Sequence, residues 1–171
     1  MIFDGRWKWE LKQLSWEIVI WRGLPILGDL AEHRLNRAIL YSAIILRKII
    51  EDEEEAESIA KEGNIPLPEQ KTIHTSLKVI KYPYAGEEGW TIRSKFCSSD
   101  YGKGQTVCVK VKDVCNWLLH SYVWAVAHNA KQRTFAGFLV ASDYDKEKFV
   151  HYISFDEWKK GINDVIENAV F

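Results

Sequence analysis

Asn116 and His120 stand four residues apart in CNWLLHSY, residues 115–122, and Tyr122 follows two positions later. On a helix, residues four apart lie one above the other, so an amide and an imidazole would meet on one flank. An imidazole titrates near neutral pH and can take or give a proton, and an amide can orient the group under attack. A helix read from Asp113 to about Ala130 puts Cys115, Leu118, Leu119, Tyr122 and Val126 on one face, with Asn116 and His120 at its edge. A polar pair in that place either lines a groove or an interface, or is satisfied inside the core.

Other chemistries have less behind them. Cys97, Cys108 and Cys115 are an odd set without the close ligand pairs of a structural zinc site, even with His120 added. Asp143, Asp145 and Glu147 fall in an expected turn, and Asp156 and Glu157 at an expected helix start, where turn chemistry and capping account for carboxylates. No nucleotide-binding glycine loop, no His-Glu-x-x-His and no Gly-x-Ser-x-Gly occurs. Neither metal nor cofactor is expected.

The net charge is −1, but it is unevenly spread. Residues 28–70 carry five basic groups against ten acids, and residues 71–112 carry eight against three. The basic middle, with Lys78, Lys81, Arg93, Lys95, Lys110 and Lys112, and with Arg133 beyond it, could contact phosphates. A solvated sheet face explains the same residues without a ligand.

The stretch DVCNWLLHSY resembles the motif of the HEPN superfamily of RNA-cleaving and RNA-binding helical domains. That motif has an Arg, often followed by Asn, then three residues, His, one residue and, in one large branch, Tyr. Asn116, His120 and Tyr122 match it, while Cys115 stands where the family has its Arg. The resemblance implies metal-independent RNA cleavage. In it the ribose 2′-hydroxyl attacks the adjacent phosphate, His handles the proton, Arg stabilises the phosphorane, and dimerisation brings two motifs together. Cys115 can supply no fixed positive charge. Catalysis would then need an Arg from elsewhere, such as Arg133, Arg93 or a partner subunit. A HEPN-like RNA-binding or regulatory protein without efficient catalysis is therefore the leading expectation, and an active ribonuclease a further one. The strands described next are foreign to a minimal all-helical HEPN domain and would have to be additions to it.

Positioning falls to the rest of the chain. Residues 4–22 read as a helix capped by Asp4, with Trp7, Leu11, Leu14, Ile18 and Trp21 on one stripe. Trp9, Trp16 and Ile20 fall on nearly the opposite side, so this helix must be covered twice or dock on a partner. A homo-oligomer or another protein partner follows from that second face. It also supports a third expectation, an α+β interaction or structural protein unrelated to HEPN. Asp29 can cap a second helix to about Glu62, whose acidic end, EDEEEAE, reads as a solvated face.

After GNIPLPEQK the pattern becomes strand-like at IHTSLKVIKY, with a hairpin expected from 90–97 and 105–112 and a second from 134–142 and 148–154. FDEWKKGINDVIENAV closes as an amphipathic helix. The expected fold is one α+β domain: 1–62 mainly helical, 73–154 strands around a helix at 113–130, and 155–170 a final helix. No run of eighteen apolar residues exists, so no membrane partner is expected. With no apolar leader and unpaired cysteines, a cytoplasmic protein with reduced thiols is expected.

Overall fold

The computed structural model describes residues 6–24, 29–66, 72–83, 104–129, 134–142 and 148–169. The first helix, α1 (Arg6–Gly23), buries Leu11, Leu14 and Ile18, the middle of its expected inner stripe. Asp4, its expected cap, lies outside the described residues. The second, α2 (Asp29–Gly63), buries Leu35, Ala38, Ile39, Ser42, Ile45, Leu46, Ile49 and Ile50 at the three- and four-residue spacing anticipated for it. It stops where Asn64 turns to a φ of 54°. The Ile65 N–H then reaches back to the Ala60 carbonyl at 2.9 Å and the Asn64 N–H to Lys61 at 3.3 Å, which closes the last orphan carbonyls. Its acidic end is largely neutralised by the pairs Lys48–Asp52, Lys61–Glu57 and Lys112–Glu54.

Strand β1 (Ser76–Pro83) alternates Leu77 and Val79 inward with Ser76 and Lys78 outward. Its partner on one side is β2 (Gln105–Lys110), antiparallel, with Leu77 opposite Val109 and Val79 opposite Val107. Of the expected strand 105–112, residues 105–110 pair with β1 and the last two are helical, and the expected hairpin partner 90–97 lies outside the described residues. The chain then turns directly into helix α3 (Val111–Leu119).

The expected helix over 113–130 is corrected here. It ends at Leu119, His120 caps it through an N–H bond of 3.0 Å to the Asn116 carbonyl, and residues 121–129 form strand β3 (Ser121–Asn129). SYVWAVAHN is dense in β-branched and aromatic residues, and a short apolar run is compatible with both periods. Pairing with a long neighbour decided it. Strand β4 (Thr134–Ser142) runs antiparallel to β3 from Ser121–Ser142 to Asn129–Thr134, with irregularities after Ser121 and after Ala127.

Strand β5 (Phe149–Ser154) pairs with β4, as expected for the second hairpin, and also with β1. At Gly137 a Cβ would fall 2.2 Å from the Ile153 carbonyl oxygen, so only glycine allows β4 and β5 this close. The sheet order is β2-β1-β5-β4-β3, with every pairing antiparallel.

The final helix, α4 (Phe155–Asn168), starts at Ser154, whose Oγ accepts the Glu157 N–H at 3.2 Å. Residues from the four described α-helices join Leu77, Val79, Val126, Phe138, Val140 and Ile153 of the sheet in one apolar core. Trp158 lies fully buried in it: its ring meets Phe138 edge-on at 5.6 Å, and its Nε1–H donates to Ser42 Oγ at 3.0 Å. A smaller cluster of Tyr82, Ala127, Leu139, Ala141 and Val150 occupies the opposite face of the sheet. The fold is α+β, with an N-terminal helical pair, a five-stranded antiparallel sheet, an embedded helix and a C-terminal helix.

Candidate functional site

The CNWLLHSY residues are divided among three backbone settings. Cys115 and Asn116 lie on α3, His120 is its cap, and Tyr122 lies in β3. The helical i, i+4 relation still holds for Asn116 and His120, since the cap continues the last turn. His120 is exposed, and Asn116 is half-buried with its side-chain oxygen enclosed and without a hydrogen-bond partner. A helix running through Tyr122, which the spacing of the motif assumed, is absent.

Cys115 is fully enclosed in the core against α2. Burial pushes its thiol well above the ordinary range, against the opposing pull of the Arg47 guanidinium and of hydrogen bonding to the backbone. The thiol is held neutral and inert. Arg47 was missed in the sequence because it is sixty-eight residues from Cys115. It stands on the edge of α2 that meets α3, with Glu51 and Glu54 following at four- and three-residue spacing. Arg47 Nε binds Glu51 at 2.7 Å, and Glu54 is held by Lys112 of α3. A positive charge thus does lie beside the position the resembling family gives to Arg, supplied by another helix and shared with a carboxylate.

The basic residues do not converge. Lys78 and Lys110 lie on exposed positions of one sheet face, as their register with Cys108 and Ser76 requires. Lys81 sits on the other face, its Nζ 3.6 Å from the centre of the Phe149 ring. Lys112 is taken by Glu54. Arg93, Lys95 and Arg133 lie outside the described residues. Among the described residues no cluster of three His, Cys, Asp or Glu is placed to hold a metal, and no helix is long and apolar enough to cross a membrane.

The second face of α1 behaves as its periodicity demanded. Trp9, Trp16 and Ile20 are 65%, 66% and 55% exposed, along one stripe opposite Leu11, Leu14 and Ile18. α1 packs on α2, with the Glu17–Arg37 pair at 3.1 Å along their shared flank, and on α4, with Arg22–Asp156 and the Lys8 Nζ bond to the Ala169 carbonyl. The indoles therefore stand on a braced helix with no partner among the described residues over them. Such a surface can bury large aromatic area against another macromolecule. No protein-family model, no curated protein and no solved structure matches this chain.

Proposed function

We propose that this protein is an interaction module that docks through the outer face of α1 and works without efficient catalysis of its own. The observation that carries this is the stripe of Trp9, Trp16 and Ile20, more than half exposed on a helix braced from behind. Contiguous exposed apolar surface of this kind marks interaction sites, and buried Trp dominates the energetics of interfaces. The test is Trp9→Ser combined with Trp16→Ser in the full chain. Association, read as solution mass, should be lost while the melting temperature stays within a few degrees. An unchanged mass with a markedly lower melting temperature would make the face part of the core and end the proposal.

A HEPN-like association with RNA is the second reading, favoured by the seam between α2 and α3. There the Arg47 charge acts on Cys115 of α3, and five residues later the exposed imidazole of His120 caps that helix. These groups could hold a phosphate or a base edge. The neutral, enclosed Cys115 argues against efficient cleavage, since loss of one such stabiliser commonly costs about 100- to 1,000-fold in rate. Binding of a single-stranded RNA at low salt should weaken as salt rises and weaken further with His120→Ala. No binding at low salt removes this reading, and cleavage that survives His120→Ala moves any catalytic site elsewhere.

A further inference from the structure

We infer that the occupant of the α1 face is a second copy of this chain, and that the docking surface extends across α2, so that two helical pairs meet as a four-helix layer. This rests on the docking role proposed for α1 and goes beyond it by naming the partner and the other half of the surface.

The geometry follows from one ion pair. Glu17 lies on the flank of α1 next to the exposed Trp16 and Ile20, and both its oxygens accept from Arg37 Nη2, at 3.1 and 3.2 Å. Arg37 lies on the outer side of α2, between Leu30 and Tyr41 along the same exposed stripe. The pair therefore forms a seam with apolar residues on both sides. Across it from the α1 stripe stand Leu30, Tyr41 and Ile44, exposed by 60%, 54% and 49%. At about 200 Å² for a large side chain, the six residues together expose on the order of 700 Å². A standard interface takes about 800 Å² from each partner, so the patch has nearly the area a stable dimer needs.

The charge pattern selects the partner. A two-fold interface lays a patch against itself, so an excess of either sign would be doubled and would repel. Here Glu17 and Arg37 neutralise each other at the centre, Lys48 at the far end is held by Asp52 at 2.6 Å, and Arg34 adds a positive charge between Leu30 and Tyr41. The stripe of α1 itself carries Trp9, Gln13, Trp16 and Ile20, with no charge. A helix built to lie on a membrane surface would border its apolar stripe with Lys and Arg, whereas both signs border this one, Arg6 and Lys12 with Glu10 and Glu17. An apolar patch flanked by both signs can set opposite charges against each other across a two-fold axis, which fits another copy of itself.

The experiment measures the solution mass of the full chain over a concentration series, with melting temperature as the control. The variants are Trp9→Ser/Trp16→Ser on α1 and Tyr41→Lys/Ile44→Lys on α2. The wild type should be a dimer, and each double variant should weaken dimerisation by at least about 30-fold with melting unchanged. If the lysine variant melts lower, Tyr41→Ser/Ile44→Ser takes its place. A dimer broken by the α1 variant alone overturns the two-helix surface and leaves the docking role of α1 intact. A dimer indifferent to both variants, or a monomeric wild type, overturns the inference. The melting temperature of the α1 variant then judges the docking role separately: unchanged, the face remains free for a different partner; lowered, that role falls as well.

Discussion

At Cys115 one residue decides how far the motif's chemistry can be carried over. The side chain has no exposure and faces α2 beside Arg47, so a guanidinium placed there would be buried next to another. Cys115→Arg is expected to destabilise the fold by about 3–5 kcal/mol, as uncompensated buried charges do, read from the urea midpoint, and not to create a nuclease. A variant as stable as the wild type that cleaved RNA would show that the site can open to accept Arg.

The same burial predicts thiol behaviour. Cys108, exposed on β2, should react with a thiol reagent in the native protein, whereas Cys115 should react only on unfolding, checked by mapping the labelled peptides. Because the folded thiol titrates above the unfolded one, its contribution to stability is complete below about pH 8.5 and is lost as pH rises beyond that. Cys115→Ala should therefore flatten the alkaline limb of the stability curve. An unchanged limb would mean that the thiol is not held neutral by the fold.

Local signals and packing agree at the helix ends and disagree in the middle of the chain. Ser154 followed by Glu157 is the serine–glutamate spacing of a capping box. Ser154 Oγ does cap α4, while the Glu157 carboxylate turns instead to the Lys78 backbone N–H at 3.0 Å and ties the helix to β1. Ser154→Ala should cost about 1 kcal/mol, measured by chemical denaturation. Glu157→Gln should cost less, because the amide oxygen can still accept that bond. A larger loss for Glu157→Gln would make the charge at the helix N-terminus, and not the cap, the dominant effect. The change from α3 to β3 carries no comparable local signal. No glycine or proline marks it, and His120 ends the helix because eight of the next nine residues find partners along β4.

At the scale of the whole molecule, Trp158 couples the layers. It joins α4 to α2 through Ser42 and to the sheet through Phe138. Trp158→Ala should cost about 3–5 kcal/mol and lower the stability of every layer together, seen as one cooperative transition by fluorescence and by circular dichroism. Separate transitions for helices and sheet would show that the layers are not energetically joined there.

The sequence by itself determined the elements that carry a strong period or a strong stop: both N-terminal helices, the 134–142/148–154 hairpin, the final helix and the two-sided apolar pattern of α1. Each depends on neighbours within a few residues, and such neighbours are visible in a linear string. Tertiary structure alone decided what depends on distant partners. Strand β2 belongs beside β1, β5 returns to the other side of β1, and residues 121–129 are a strand because β4 offers them a ladder. The site follows the same division. The spacing of Asn116 and His120 was legible, but the burial of Cys115 and the nearness of Arg47 were not, because the packing of α2 on α3 sets both. The outward stripe of α1 was legible from periodicity, and its continuation across Glu17–Arg37 to Tyr41 and Ile44 emerged only when two helices were laid side by side.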